Sequence, residues 1–171
     1  ERTNMRTSDG TPTWAVYGFF KAIFDLLKNI KPDSICVAFD VSHHTFRVDE
    51  YAEYKSNRVA MPDDMQTQME LIYNGLRAFD IPIYTKEGFE ADDVIGTISK
   101  KACELAHKIL ILTGDQDSFQ LIDKDGCVKV IIPTKGVLKE YGWNEVYEKL
   151  GIYPDQVVDY KSLRGDTSDN I

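Results

Sequence analysis

Eight carboxylates stand where apolar, strand-like runs give way to helical ones, and their type and spacing suit hard cations. The run ICVAF ends in Asp40; IPIYT leads through a short link to Glu90, Asp92 and Asp93; ILILTG ends in Asp115, with Asp117 two residues on. Further along, GDTSDN supplies Asp166 and Asp169, an i, i+3 pair able to face one way on a helical turn. Like charges brought together cannot all stay ionised in a dry site unless cations neutralise them. Oxygen ligands without neighbouring Cys or His select Mg²⁺ or Mn²⁺ over zinc. Two such ions about 4 Å apart form a clamp for phosphodiester cleavage, one activating water and the other stabilising the leaving oxygen. For Asp92, Asp93 and Asp117 taken singly a plainer reading stays open, because acids at a helix start often only cap it or complement its dipole.

The charge balance treats the acids as one object. The chain carries 20 Lys and Arg against 28 Asp and Glu, a net charge of −8, so setting the eight acids aside leaves 20 against 20. The rest of the molecule is neutral and free to carry a basic face. Such a face lies in residues 42–58, SHHTFRVDEYAEYKSNR, where His43, His44, Arg47, Lys55 and Arg58 alternate with Phe46, Tyr51 and Tyr54. Cations that pair with phosphates beside rings that stack on bases are what single-stranded nucleic acid requires. The alternative is an ordinary solvated charged face. Adjacent histidines point apart on a strand or helix and make a poor metal site. The DKDG run at residues 123–126 lacks the later ligands of a calcium loop and reads as a hairpin turn.

The elements that must position these groups follow from periodicity. Thr11 and Pro12 open a helix carrying Trp14, Val16, Tyr17, Phe20, Ile23, Phe24 and Leu27 at helical spacing, stopped by Lys31 and Pro32. Residues 35–40 read as a buried strand; a second helix starts at Pro62 and runs to Phe79. A strand follows at 81–85, a helix at 90–106, a strand at 109–113, a short helix at 118–122 and a strand from Val128. Two short helices, near residues 143–150 and 154–163, complete the chain. Strands buried on both faces and joined by helices predict an α/β fold, a mostly parallel central sheet with helices on both faces, Rossmann-like in plan. In such sheets ligands bind outside the carboxyl ends of the strands, where the acids lie.

With 43% hydrophobic and 28% charged residues, no repeat and no linker, residues 1–171 read as a single globular domain. The longest apolar runs fall far short of the roughly 20 residues that span a bilayer, so no membrane partner is expected. Cys36, Cys103 and Cys127 show no paired spacing and read as reduced thiols packed in the core of a cytoplasmic protein.

At this level of detail the chain resembles the 5′-3′ exonuclease (5′ nuclease) domain at the amino end of bacterial DNA polymerase I, in the flap endonuclease superfamily with its PIN-like core. The matching stretches are RTSDGTPT, AVYGF, the FD ending in Asp40, TFR, EYKSNR, MPDD, GFEADDVIGT, TGDQD, VVDYKSLRGD and SDNI, from Arg6 to Ile171. The resemblance implies metal ligands at Asp40, Glu90, Asp92, Asp93, Asp115, Asp117, Asp166 and Asp169, two ions, and a catalytic set of Lys55, Arg58, Asp93 and Asp115. It implies DNA contacts from Arg47, Tyr51, Tyr54, Lys55 and Arg58, with residues 42–64 forming an arch through which a displaced 5′ strand passes. Lys55 and Arg58 would stabilise charge developing on the scissile phosphate.

The family begins with a strand ending in another metal-binding Asp, and it continues past SDNI into a helix-hairpin-helix; this sequence carries neither. Asp9 is no substitute, since SDG lies in the turn before the first helix. The expected activity is 5′-3′ exonuclease and flap endonuclease cleavage of DNA in replication and repair. Expected partners are DNA with a 5′ flap, nick or 5′ end, RNA primer–DNA junctions, and a polymerase domain in the same parent chain. The expected setting is the bacterial cytoplasm, at the nucleoid. Two rivals remain open: a catalytically impaired fragment that binds branched DNA, and a metal-dependent phosphohydrolase acting on small phosphates.

Overall fold

Helix α1 (Trp14–Asn29) and helix α3 (Asp63–Ala78) form where apolar residues recur every three to four positions, and they face each other through that stripe. The computed structural model describes residues 4–41, 44–134 and 136–171, and His43 of the basic segment lies outside them. The described chain divides into two compact units, one of residues 1–37 with 59–84 and the other of 38–58 with 85–171.

In the first unit Ile23 and Leu26 of α1 and Ile72 and Leu76 of α3 are buried. The Phe20 ring lies against Gly75, where a Cβ would come within 2.7 Å of Cε2, so any larger residue there would have to displace the ring. Gln68 is fully buried; its amide oxygen accepts the Ala15 N–H at 2.6 Å and its nitrogen donates to the Asp64 carbonyl at 2.9 Å, which satisfies it without water. The predicted apolar stripe of α1 is only partly interior: Tyr17, Phe24 and Leu27 are exposed. Strand β1 (Val37–Ala38) pairs with β2 (Ile83–Tyr84), and the Val37 N–H donates to the Pro82 carbonyl at 2.9 Å.

The second unit holds the larger core. Strand β3 (Ile109–Leu112) runs parallel to β4 (Val128–Thr134), with Ile111 opposite Val130; β4 then pairs antiparallel with β5 (Val137–Tyr141), with Val130 opposite Tyr141. Ile111, Phe119, Ile122, Val128, Val130, Tyr141, Val146 and Val157 form one buried cluster, with the Phe119 and Tyr141 rings 4.9 Å apart. Helices α4 (Ala91–Glu104), α5 (Trp143–Leu150) and α6 (Val157–Arg164) pack on or beside this core, and the short helix α2 (Phe46–Glu50) belongs to the same unit. Short 3-10 helices cover Gln116–Leu121 and Pro154–Gln156.

Three expectations are corrected here. The single, mostly parallel sheet is, among the described residues, a two-strand pair and a three-strand sheet whose last strand is antiparallel. That strand, VLKEY, shows no apolar–polar alternation, with only Tyr141 buried, and gains its structure from pairing with β4. The DKDG run does turn, with Asp123 Oδ1 accepting the Val128 N–H at 2.7 Å, but it joins a 3-10 turn to β4 and closes no hairpin. Finally, Cys103 and Cys127 are joined in a disulfide, their Cα atoms 6.0 Å apart, while Cys36 is an exposed free thiol. The pairing follows from topology: the Ile109 N–H donates to the Cys127 carbonyl at 2.8 Å, so β4 begins beside the link that leaves α4.

Candidate metal and nucleic-acid site

All thirteen side chains singled out in the sequence as metal, catalytic or DNA-contacting groups lie in the second unit. The amino end of α4 organises the first group. Asp40, just beyond β1, accepts the Ala91 N–H at 2.6 Å, and Glu90 is the residue that precedes the helix. Asp92 follows in the first turn. It keeps solvent on one side, yet desolvation of its carboxyl, followed by the charges of Asp115, Asp40 and Glu90, pushes its pKa up to about 6. Asp115 arrives from β3 by a different route: it caps the 3-10 turn by accepting the Asp117 N–H at 2.9 Å, and its own N–H donates to Thr113 Oγ1 at 3.0 Å. Asp40, Glu90, Asp92 and Asp115 thus form one electrostatic set drawn from separate segments.

Asp93 has a separate commitment. Its two oxygens accept both terminal nitrogens of Arg47 at 2.7 and 2.8 Å, and Oδ2 also accepts the Glu90 N–H at 2.9 Å. The Arg47 hydrogen bonds hold the Asp93 carboxyl below the usual carboxylate range despite partial burial. The pair fastens α2 to α4, and the Arg47 guanidinium also rests over the Phe46 ring, 4.6 Å from its centre.

The segment after α2 brings cations to the remaining acids. Lys55 Nζ lies 2.7 Å from Glu90 and 4.0 Å from Asp169, and Arg58 donates to Asp169 at 2.7 Å. Burial opposes the charge on Lys55, and hydrogen bonds to Glu90 and Tyr54 outweigh it, raising its pKa. The Tyr54 hydroxyl stands 3.3 Å from both Glu90 and Asp169, and Tyr51 stays on the surface, donating to Glu53 at 3.1 Å. His44 forms an exposed pair with Asp49 at 3.4 Å.

Lys161 was given no role by sequence reasoning, yet it bridges Asp117 at 2.6 Å and Asp166 at 2.5 Å from the middle of α6. Hydrogen bonds from Lys161 and then Ser168 hold the Asp166 carboxyl well below the usual range. A usable signal was present, since a lysine five residues before Asp166 on a helix that ends there can reach the acid that follows.

The donor set has the hard-oxygen chemistry that Mg²⁺ or Mn²⁺ requires. The fit is not complete in geometry: among the described residues no three acid, His or Cys side chains stand as a ligating group. Lys55, Arg58, Arg47 and Lys161 already neutralise five of the eight acids, while Asp40, Asp92 and Asp115 form no ion pair among the described residues. A carboxyl raised to about 6 contributes stability that is fully present below its unfolded value near 4 and lost as pH rises through 6. The Asp92→Asn protein is therefore expected to melt higher than the parent at neutral pH in chelator, with the difference closing at about pH 4. Thermal melts across that range check it, and a lower melting temperature for the variant at neutral pH would refute it.

An α/β fold carrying these acids at helix and turn starts defines a class. The bacteriophage T5 flap endonuclease, solved in a pseudo-enzyme-product complex with DNA and metal ions, matches with TM-score 0.72 and 24% identity over 90% of this chain and 59% of its own. The catalytic core of Rad2 in complex with DNA substrate matches with TM-score 0.52 and 19% identity over 97% of this chain and 51% of its own. Both likenesses are of fold. Residues 1–151 match the 5′-3′ exonuclease, N-terminal resolvase-like domain, and the chain belongs to that family. DNA polymerase I of Caldicellulosiruptor bescii is 45% identical over 169 residues, 98% of this chain and 20% of that protein. The Chloroflexus aurantiacus enzyme of the same name is 44% identical over 99% of this chain and 18% of its own length. The chain spans about a fifth of the length of the curated relatives it matches.

Proposed function

We propose that this domain hydrolyses DNA phosphodiesters at 5′ ends, nicks and 5′ flaps in a divalent-cation-dependent reaction, with Mg²⁺ or Mn²⁺ as the cation and two ions at full occupancy. One observation carries the reading: desolvation, followed by the charges of Asp115, Asp40 and Glu90, pushes the carboxyl of Asp92 up to about 6, while Lys55 pairs with Glu90 of the same set and Arg58 with the nearby Asp169. Asp40, Glu90, Asp92 and Asp115 would hold one ion, and Asp117, Asp166 and Asp169 the other, with Asp93 beside the first. When bound, the ions supply an activated water and neutralise charge at the phosphate. The protein's own part is positioning. Lys55 and Arg58 are placed to pair with phosphate oxygens, Tyr54 and Tyr51 offer faces for bases, and Arg47 is steadied by Asp93.

RNA primer–DNA junctions, a polymerase domain in the same parent chain and a nucleoid-associated, cytoplasmic setting belong to the same proposal. So do the family's preceding strand with its further Asp and its following helix-hairpin-helix, which would supply another acid and a grip on duplex DNA. Among the described residues, no helix is long and apolar enough to cross a membrane.

The test is a 5′-labelled flap duplex incubated with this chain across a Mn²⁺ titration, with Asp115→Asn as control. Asparagine also caps helical turns, so the fold should survive the change. Short labelled products that vanish in the variant support cleavage. A second reading, a domain that holds branched DNA without cutting it, is favoured by the cations already seated on five of the acids. Flap retained in a gel with no products at any Mn²⁺ concentration would select that reading.

A further inference from the structure

Two loops far apart in sequence are sewn together beside Lys55, and the stitches are side chains with no assigned role. The turn at residues 51–58 is built from local hydrogen bonds, Tyr54 N–H to Tyr51 O at 3.0 Å, Ser56 N–H to Glu53 O at 3.1 Å and Arg58 N–H to Lys55 O at 3.0 Å. At its centre Lys55 adopts φ +55°, a left-handed conformation that a lysine rarely holds without outside support.

The support comes from the loop at residues 165–171. Asp169 accepts the Lys55 N–H through its carbonyl at 2.9 Å. The Asn170 amide donates to the Glu53 carbonyl at 2.9 Å and to Ser56 Oγ at 3.2 Å, using both of its hydrogens on the turn. Asn57 donates in the other direction, to the Thr167 carbonyl at 2.9 Å. The loop is itself closed, with Asp166 and Ile171 exchanging backbone hydrogen bonds at 2.8 and 3.0 Å. Gly165 opens it at φ +78°, where a Cβ would stand 2.8 Å from the Ile171 carbonyl oxygen.

We propose that Asn170, seconded by Asn57, is a positioning residue: its amide locks the turn so that Lys55 is delivered to the acids from a fixed backbone. The loop that carries Asp169 therefore also sets the position of the lysine that faces Asp169 and Glu90. This rests on the nuclease reading for its kinetic consequence, but the clasp itself does not.

The variant of choice is Asn170→Gly, because glycine accepts the φ of +61° that position 170 holds and removes only the amide. Three readouts decide the matter. In single-turnover flap cleavage, misplacing Lys55 by an ångström is expected to slow the chemical step by about 10²-fold while the flap Kd measured in Ca²⁺ stays close to the parent's. The double variant with Lys55→Ala should be no slower than Lys55→Ala alone, since both remove one effect. Independently of activity, tryptic cleavage after Lys55 and Arg58 in the native protein should accelerate at an unchanged melting temperature. Asn57→Ala should repeat the pattern more weakly, and it stands in if Asn170→Gly does not fold. Additive losses in the double variant, or unchanged tryptic cleavage in both single variants, would overturn the proposal. If the parent chain cleaves no flap, the nuclease reading falls, and the tryptic result still decides the clasp.

Discussion

The Asp93→Asn protein is expected to melt about 4–8 °C below the parent in the absence of metal, a loss of roughly 2 kcal/mol. Read from sequence as one of eight mutually repelling acids, Asp93 would lose little on neutralisation, and the metal-free fold would gain or stay level. The geometry reverses the sign. Asparagine cannot accept the two-pronged donation from Arg47, and it leaves a guanidinium with 31% of its side chain exposed facing only the more distant charge of Glu90. Breaking a fully buried pair costs about 3–5 kcal/mol; the solvent reaching both partners here reduces that figure. The pH dependence follows from the direction of the shift. A depressed carboxyl contributes stability above its unfolded value near 4 and loses it as pH falls through its folded value, so parent and variant should converge in acid. Thermal melts in chelator at neutral and at acid pH test this. An Asp93→Asn protein as stable as the parent at neutral pH would return Asp93 to the repelling set.

Lys55→Ala is expected to slow flap cleavage by about 10²–10³-fold while divalent cation affinity holds or tightens. The two effects separate because Lys55 sits on the acids and carries the same sign of charge as the ion. Removing it takes a competitor from Glu90, 2.7 Å away, and relieves repulsion toward a bound cation. What is lost is a donor next to the place where a phosphate would develop charge. Mn²⁺ titration followed by calorimetry, paired with single-turnover cleavage, distinguishes the outcomes. Parallel loss of metal affinity and rate would show instead that Lys55 is needed to hold the acids in place.

The sequence made the acids and the long helices legible for physical reasons that can be named residue by residue. Helix α4 was expected over 90–106 and spans Ala91–Glu104, because Glu90 and Asp93 mark its start and its apolar residues recur at helical spacing. Helix α5 spans Trp143–Leu150 as expected, ended by Gly151 in a left-handed conformation. What stayed hidden depends on contacts between distant segments. Strand β5 exists because β4 offers it partners, and α2 is too short for periodicity to register. The Cys103–Cys127 bond needs β3 and β4 to be laid side by side. The candidate site was readable as a set of acids but not as a set of pairs. Which acid faces Arg47 and which faces Lys161 is decided by where α2 and α6 pack, and spacing along the chain carries no record of it.

The span between partners in the site has a bearing on the order in which this unit forms. The core draws on Ile111 to Val157, whereas the clasp joins Tyr54 to Asp169 across 115 positions, Arg58 to Asp169 across 111 and Asn170 to Glu53 across 117. Closing so long a loop costs entropy that only an already assembled scaffold can offset. The core can therefore consolidate first, and the joining of residues 53–58 to Asp169 and Asn170 is the last step of assembly. By the same reasoning it is the first to come apart. Amide hydrogens at residues 54–58 and 166–171 should exchange well before those of β3 and β4, so the chemistry of this surface can be lost while the body of the unit stays folded.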